Sequence, residues 1–362
     1  MFPTRRITTS GGDVFRDEFS LAFDGTDDYI AILGKPVDTA DATYVFWYKS
    51  TVSGASNRAI FGHGDDKIGE FSISYDSQNR ALLYLHSNLY IYFDDGAGNT
   101  HVGDGQWHHA ALVVDIDDMD GCKLYIDTIE IPRATKVESG TATAYGNMEI
   151  GRADSTKEFE GSLSDFAVYD KHLSISEVKT LYNGREPYNH KEGVCLSNLQ
   201  AWWRMGDGVL DDRNGLVADQ TNATLTSNVV VNGKFDTDSD WTKGTGWSIN
   251  NGEAIFTGTD FANLTPASSP LESGKNYKIT LDATVTNGSF KLQHNSVDII
   301  TGNTTGSFTA YFTSSNTTFN IARASVGVQN DFTVDNIVIK KINGKSGIMT
   351  NMDTNDFEGD TP

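Results

Sequence analysis

The sequence predicts an all-β protein built from two tandem antiparallel β-sandwich jelly rolls with short polar terminal arms. Apolar or alternating runs of strand length recur along the chain, and clusters of glycine, asparagine and aspartate separate them. Glycine is abundant at 35 residues and aromatic residues make up 11% of the chain, a composition typical of sandwiches joined by turns. The 362 residues exceed one typical domain and suit two, each with its own core.

These patterns divide the chain into five segments. They are an N-terminal arm over 1–18, a first jelly roll over 19–185, a connecting segment over 186–228, a second jelly roll over 229–342 and a C-terminal tail over 343–362. Both ends are polar and lack periodicity. The predicted strands of the first jelly roll include 44–48, 58–61, 71–75, 81–85 and 89–93.

The first jelly roll ends in a strand, a turn and one short helix. The strand is predicted around Leu163, Phe166 and Val168. Ser174 or Ser176 can cap the helix, and Asn183-Gly184 suits a left-handed C-cap. The apolar residues three and four apart, which predict the buried helix face, are Ile175, Val178, Leu181 and Tyr182.

This ending resembles that of the laminin-G-like, concanavalin A-type jelly rolls. The matching positions are Gly161, Leu163, Asp165, Phe166, Val168, Tyr169, Leu173 and Ser174. Runs 23–30, 106–113 and 123–127 match the same family upstream, in the same order. The resemblance implies the fold of the first half of the chain. It does not identify a ligand, because the family includes lectins, glycan hydrolases and adhesive spacers.

The connecting segment carries a second family motif in an unusual place. Its aromatic pair Trp202-Trp203, followed by Asp219, is similar to a run that usually precedes the first strand of the laminin-G-like fold. Here the run follows the domain. We therefore hypothesise a circular permutation in which this segment fills the first-strand position and buries Trp202 or Trp203 in the first domain.

The second jelly roll is similar to the carbohydrate-binding modules that accompany polysaccharide-degrading enzymes. The resemblance lies in an opening Asn232-Gly233-x-Phe235-Asp236, an early Trp241 and a closing strand with Asp335-Asn336. Such a module behind a laminin-G-like jelly roll resembles the arrangement in bacteriophage virion proteins.

The resemblances imply calcium as a cofactor. Asp24 and Asp165 match positions that hold a structural calcium in many relatives of the first domain. Asp236 and Asp335 match acidic positions that hold a buried calcium in the similar binding modules. The alternative is that these carboxylates cap turns through backbone N–H groups.

Trp241 and Trp247 are the predicted glycan-binding residues. An exposed indole stacks on the apolar face of a sugar ring while neighbouring polar groups bind the hydroxyls. Burial in the core is the alternative. For Trp241 the two roles are equally favoured, whereas for Trp247 the core is favoured.

No catalytic residues are predicted. Some relatives cleave glycans with the pattern Glu-x-Asp-x-x-Glu on one strand, in which the two glutamates serve as nucleophile and acid. The nearest match has Asp127 and Glu130, but Tyr125 replaces the first glutamate. His108 and His109 are adjacent on a predicted strand and point to opposite faces, so they cannot share a metal ion. We therefore expect a protein that is not an enzyme.

Charge limits the partners. The net charge is −21, which disfavours nucleic acid and anionic membranes. No apolar run is long enough to span a bilayer, and residues 1–12 do not read as a secretory signal. Two cysteines, Cys122 and Cys195, make no disulfide framework, and whether they pair stays open.

Two functions remain. The favoured one is a non-catalytic virion structural protein, a bacteriophage head decoration or fibre, located in the virion. Its expected partners are other virion subunits, further copies of itself as a homo-oligomer, and cell-surface polysaccharide. The alternative is a soluble or secreted carbohydrate-binding protein, located outside the cell, of a polysaccharide-using bacterium.

Overall fold

The fold is known from a computed structural model. It describes residues 15, 17–37, 41–53, 58–63, 69–74, 76–86, 88–96, 101, 103–140, 146–153 and 156–362. The predicted N-terminal arm lies almost wholly outside these residues.

The chain forms 28 strands and one short α-helix in its described part. The first fifteen strands are β1 (Ser20–Asp24), β2 (Tyr29–Ile32), β3 (Asp41–Lys49), β4 (Arg58–Gly62), β5 (Glu70–Ser74), β6 (Ala81–His86), β7 (Leu89–Phe93), β8 (His108–Asp115), β9 (Lys123–Ile126), β10 (Ile129–Ile131), β11 (Arg133–Glu138), β12 (Met148–Ile150), β13 (Glu160–Tyr169), β14 (Leu199–Trp203) and β15 (Leu216–Val217). Helix α1 spans Ile175–Tyr182, and a 3-10 turn spans Leu196–Asn198.

The remaining strands belong mostly to the second sandwich. They are β16 (Thr224–Leu225), β17 (Trp241–Lys243), β18 (Trp247–Asn250), β19 (Glu253–Gly258), β20 (Leu264–Pro266), β21 (Asn276–Asn287), β22 (Phe290–His294), β23 (Val297–Gly302), β24 (Gly306–Thr313), β25 (Asn320–Arg323), β26 (Asn330–Asn343), β27 (Gly347–Thr350) and β28 (Phe357–Glu358). The predicted all-β class is confirmed.

Two sheets face each other in the first sandwich. The front sheet has nine strands in the order β11-β7-β6-β5-β4-β12-β2-β27-β15. The back sheet has the order β10-β9-β8-β3-β13-β1-β28, with β14 also paired to β13. Neighbouring strands within each sheet pair antiparallel, and the strand residues alternate between the core and the outer faces. Phe46, Phe61, Phe71, Phe93 and Phe166 fill the space between the sheets.

Helix α1 covers the outer face of the back sheet. Ser174 caps its N-terminus in a capping box with Glu177, and Asn183 adopts the left-handed conformation at its C-terminus, as predicted. Val178 and Leu181 are buried in a second apolar cluster on that face. Strand residues such as Val45 and Ala167 form the floor of this cluster.

The connecting segment lies against the first sandwich. Strand β14 pairs with the second half of β13, beyond the residues that pair with β1. Trp203 is fully buried in the main core, and Trp202 is buried in the cluster under the helix. The burial of Trp202 and Trp203 in the first sandwich agrees with the permuted-strand hypothesis, and the circular permutation itself stays a prediction.

The C-terminal segment is not the free polar tail that the sequence predicts. Strand β27 pairs with β2 and β15, and β28 pairs with β1. Met349 and Phe357 are buried in the main core. The apolar residues in this segment are too few and scattered to give a strand pattern, yet each fills a place in the first sandwich. The second sandwich is therefore inserted between strands of the first.

The second sandwich has its own core. One sheet has the order β18-β19-β26-β21-β24, with β16 beside β26, and the other has the order β17-β20-β25-β22-β23. Phe235, Tyr277, Phe290, Phe319 and Phe332 pack between them. The long central pair β21 and β26 alternates buried and partly exposed residues along most of its length.

A small junction joins the sandwiches. Leu216 and Ile348 from the first pack with Tyr311 and Ile342 from the second. The Asp212 carboxylate accepts hydrogen bonds from the Lys278 ammonium at 3.0 Å and the Tyr311 hydroxyl at 2.5 Å. Burial raises the pKa of Asp212, but these and other hydrogen bonds outweigh it and lower the pKa to about 2.

Truncation of the chain after Asn343 tests the inserted arrangement. The deletion removes β27 and β28 and with them the buried Met349 and Phe357 side chains. Since burying each such side chain contributes about 1.5–3 kcal/mol, we expect the free energy of unfolding of the first sandwich to fall by at least about 3 kcal/mol. Calorimetric melting measures the change.

Truncation after Asp360 is the matched control. It keeps both strands and the hydrogen bond from the Ser20 hydroxyl to the Asp360 carbonyl. An unchanged melting curve after truncation at Asn343 would contradict the role of the C-terminal strands.

Candidate functional site

Three tyrosines form a patch on the outer face of the front sheet. Tyr84 on β6 pairs directly with Tyr90 on β7, and Tyr92 follows two residues later on the same face. The Tyr84 and Tyr90 rings are near parallel with centroids 6.3 Å apart, and Tyr92 meets Tyr90 edge-on at 5.6 Å. We call these three residues the tyrosine face. All three are half-buried, so their rings are held in place and still reach solvent.

The strand pattern explains the tyrosine face. On β7 the residues Leu89, Ile91 and Phe93 point into the core, which places Tyr90 and Tyr92 on the outer face. Cross-strand pairing then brings Tyr84 beside Tyr90. Aromatic cross-strand pairs stabilise a sheet and at the same time fix the orientation of each ring.

Charged groups surround the tyrosine face. The Arg80 guanidinium lies 4.2 Å from the Tyr92 ring centroid, and the Lys157 ammonium lies 5.8 Å from that of Tyr84. Lys157 in turn donates to the buried Glu70 carboxylate at 2.5 Å. Glu70 is the cross-strand neighbour of Tyr84. A rigid aromatic surface beside fixed donors and acceptors suits a neutral polyhydroxylated ligand.

Trp241 and Trp247 are core residues. They are 6% and 7% exposed and pack against Phe235 and Phe256. Their indole N–H groups donate to the carbonyls of Asn232 and Ala262. This corrects the prediction that Trp241 and Trp247 bind a glycan, because neither ring can offer a face to a sugar, and it agrees with the core position that the sequence favoured for Trp247.

The exposed aromatic ring of the second sandwich is instead Phe261. It is 60% exposed, and the Lys291 and Arg323 cations lie 5.9 and 5.8 Å from its centroid. Phe261 follows β19 in a loop, and a loop position gives no periodic signal from which exposure can be predicted.

Asp24 and Asp165 are not neighbours. Asp24 pairs with Glu160 on β13, so Asp165 lies five residues further along, about 16 Å away. Asp24 instead lies with Asp27 and Asp28, with one carboxylate oxygen of each within 4.8 Å of the others. Burial raises the pKa of Asp28 to about 6.

Asp165 has a structural environment that does not suit a calcium ligand. It is 2% exposed, and its carboxylate accepts hydrogen bonds from the Trp202 indole N–H and from His190 at 3.2 Å. The His190 ring also contacts the Tyr169 hydroxyl at 2.5 Å. With both carboxylate oxygens bound to side chains, Asp165 and Asp24 do not form the predicted calcium pair.

Asp335 lies in an acidic row that crosses one sheet of the second sandwich. Strand pairing places Asp282 directly opposite it, and Glu253 lies on the other neighbouring strand. Burial raises the pKa of Asp335, and the charges of Glu253, Asp282 and Asp236 raise it further. Asp236 is exposed and contributes from the loop before β17. Carboxylate oxygens of this kind are the donors that calcium prefers.

The residues that match the glycan-cleaving pattern are dispersed. Tyr125 is buried under the helix, and Glu130 is exposed and pairs with Lys123 at 3.6 Å. Asp127 lies in the tight turn between β9 and β10, where its carboxylate binds His108 at 2.7 Å and the His109 amide at 3.0 Å. The turn requires positive φ at Asp127 and Thr128, which aspartate tolerates.

His108 and His109 do point to opposite faces, as the sequence predicts. His109 is buried between Trp47 and Tyr182, and burial lowers its pKa to about 3. His108 binds Asp127 and Asp104. Burial lowers the pKa of His108, but these two carboxylates outweigh it and raise the pKa.

Sequence reasoning missed the tyrosine face. The signal was present, because Tyr84, Tyr90 and Tyr92 alternate with apolar residues in predicted strands. What the sequence could not give was the cross-strand register that brings them together.

The predicted calcium site at Asp335 can be tested by chelation. A cation that binds only the folded protein adds stability as its free concentration rises above its dissociation constant, so excess chelator should lower the melting temperature. The Asp335→Asn variant should lose most of that shift. Asp331→Asn is the matched control, because Asp331 lies on the same strand and binds Gln329 instead. If excess chelator left the melting temperature of the wild-type chain unchanged, the prediction of an exchangeable calcium ion would be contradicted.

Comparison with solved structures finds only partial likeness. A protein from Bacteroides ovatus is 15% identical with a TM-score of 0.42, covering 57% of this chain and 56% of that one. A SAP-like pentraxin from Limulus polyphemus is 19% identical with a TM-score of 0.36, covering 46% and 83%. Domain 4 of AbnA, an extracellular arabinanase from Geobacillus stearothermophilus, is 20% identical with a TM-score of 0.36, covering 45% and 75%. This chain thus spans little more than half of the Bacteroides protein.

Comparison with family models gives a clearer result. No curated protein matches the chain at a significant level. In the described part of the chain, no helix is long and apolar enough to cross a membrane. The matched segment starts at Asp24 in β1 and ends at Lys179 in α1, so it covers the first sandwich without β14, β15, β27 and β28 and without the inserted sandwich. Residues 24–179 match the model of the concanavalin A-like lectin/glucanases superfamily.

Proposed function

We propose that the protein binds glycans, and that the tyrosine face of the first sandwich is the binding surface. The single observation that carries the proposal is the set of three half-buried tyrosines aligned across β6 and β7. A sugar ring offers an apolar C–H face to a tyrosine ring and hydroxyl groups to its surroundings. The family match of residues 24–179 supports a lectin-like role.

The neighbouring charges fit this role. Arg80 is held by Asp76 through two hydrogen bonds of 2.7 and 2.5 Å, and Lys157 is held by Glu70. Side chains that are already fixed lose little conformational entropy when a ligand binds. The tyrosine rings are likewise fixed by their neighbours. The surface is therefore preorganised for hydrogen bonding at the edges of stacked sugar rings.

We propose further that binding occurs without cleavage. A retaining glycosidase needs two carboxyl groups about 5 Å apart, and an inverting one needs about 6.5–9.5 Å, facing the same bond. Asp127 binds two histidine groups at the end of the sandwich, and Glu130 pairs with Lys123 at the sheet edge. Neither belongs to the tyrosine face.

The biological setting that we propose is a bacteriophage virion, as a head decoration or fibre protein, with an extracellular carbohydrate-binding protein as the alternative. The net charge of −21 supports the first setting, because mutual repulsion keeps outward-facing copies apart. Two different sandwiches joined at a buried junction suit an outward-facing spacer. Mass spectrometry of purified particles tests this setting independently of glycan binding.

Substitution of the tyrosine face tests the proposed function. With a bacterial surface polysaccharide panel as ligands, we expect Tyr90→Ala to weaken binding at least tenfold, equivalent to about 1.4 kcal/mol, because the central stacking ring is lost. Isothermal titration calorimetry measures the affinity, and a reducing-end assay on the same samples should show intact glycan.

Tyr29→Ala is the matched control. Tyr29 lies on the same sheet, but the Arg152 guanidinium covers its ring at 3.2 Å. Its removal should leave glycan affinity unchanged. The proposed surface would be overturned if both variants lost glycan affinity equally, or if Tyr90→Ala bound glycan with unchanged affinity.

A further inference from the structure

A cluster of histidine and aspartate side chains lies at one end of the first sandwich, apart from the tyrosine face. His101 and His108 and the Asp127 carboxylate each offer one donor atom, and these atoms lie within 4.8 Å of one another. The three residues come from the loop before β8, from β8 itself and from the turn between β9 and β10. His108 is buried, whereas His101 and Asp127 are half-buried.

We propose that His101, His108 and Asp127 bind a transition-metal ion such as Zn²⁺. Zn²⁺ and other first-row transition-metal ions bind a donor set of two imidazoles and one carboxylate, whereas Ca²⁺ and Mg²⁺ prefer oxygen donors. A water molecule would complete four-coordination. The site is accessible to solvent through its two half-buried members.

The ring geometry fits this assignment. The His101 and His108 ring centroids are 5.1 Å apart, with an angle of 70° between the planes. For two imidazoles at zinc–nitrogen distances of about 2.0–2.1 Å and a tetrahedral angle, the ring centroids are expected to be about 5 Å apart. The two histidines are therefore already spaced as ligands of one metal ion.

The His108 ring needs only a small adjustment. Its Nδ1 atom lies 2.7 Å from Asp127 Oδ2, which is a hydrogen-bond distance. Two donors on one tetrahedral zinc ion are about 3.3 Å apart, so this pair separates by about 0.6 Å when the metal replaces the shared proton. That proton is released to solvent, and metal binding should therefore acidify a weakly buffered solution.

Outer hydrogen bonds hold the proposed ligands in place. Asp104 Oδ2 lies 3.1 Å from Nε2 of His108, so this nitrogen donates to a carboxylate while Nδ1 faces the metal position. The His109 amide donates to the other oxygen of Asp127 at 3.0 Å. Carboxylate–histidine–metal arrangements of this kind fix the tautomer and raise the basicity of the ligating nitrogen.

A second cluster provides a comparison within the same chain. Asp41, Asp115 and His172 also lie within 4.8 Å of one another. Asp41 is exposed, and one oxygen of Asp115 already accepts the backbone amides of Asp117 and Asp118. This cluster has one imidazole instead of two, and it lacks a carboxylate behind its histidine in the described residues. It is the weaker candidate for a transition metal.

Metal titration of the full, untagged chain tests the proposal. After chelator treatment, we expect Co²⁺ to give the visible absorption of a tetrahedral site and Zn²⁺ to displace it. His101→Ala and His101→Gln should each weaken Zn²⁺ binding at least tenfold and remove the tetrahedral spectrum. Asp104→Asn should weaken binding about 10–100-fold while keeping that spectrum, because it acts through His108.

His172→Ala is the matched control, and it should bind Zn²⁺ like the wild-type chain. Melting curves without metal show whether each variant is folded. A His101→Gln variant that is folded and binds Zn²⁺ with unchanged affinity would overturn the proposal. So would loss of the cobalt spectrum in His172→Ala alone.

Discussion

The buried Asp219 carboxylate is hydrogen-bonded to both chain segments that connect the first sandwich to the inserted one. It accepts hydrogen bonds from the backbone amides of Trp202 and Lys345 and from the amide and hydroxyl of Thr221. Trp202 lies in β14, Thr221 lies just before the inserted sandwich, and Lys345 lies just after it. A charged group that is removed from water must be satisfied by several donors. Asp219 is satisfied only when all three chain segments meet, so its burial couples the insertion to the fold of the first sandwich.

A second buried carboxylate, Asp165, fixes the covering of the back sheet. Its left-handed backbone conformation lies at an irregularity in the pairing of β13 with β3, and its side chain faces Trp202 and His190. Residues around position 190 would otherwise be a surface loop. A buried carboxylate without hydrogen-bond partners strongly destabilises the folded state. The segment around His190 is therefore held against the back sheet, where it supplies a partner to Asp165. The position that the family motif marks as a calcium ligand thus stabilises the fold through side-chain hydrogen bonds.

Local signals predicted the all-β class and helix α1, including the capping residues Ser174 and Asn183. Long-range placement was harder to predict. Met349 and Phe357 are among the few apolar residues of an acidic stretch, and only the partner strands give them a role. Trp241 and Trp247 show the same limit, since an indole early in a jelly roll has the same sequence context whether it faces the core or a sugar. The tyrosine face and the His101–His108 pair both depend on register and loop closure, which are set by the whole sandwich.

The inserted arrangement bears on how the protein would present a binding surface. A domain on a single linker reorients freely unless its interface is large. Here the chain crosses between the sandwiches twice, and Leu216, Tyr311, Ile342 and Ile348 are buried where they meet. The ion pair between Asp212 and Lys278 adds a directional contact. Two crossings and a packed junction oppose independent rotation, so the second sandwich holds a fixed orientation relative to the tyrosine face.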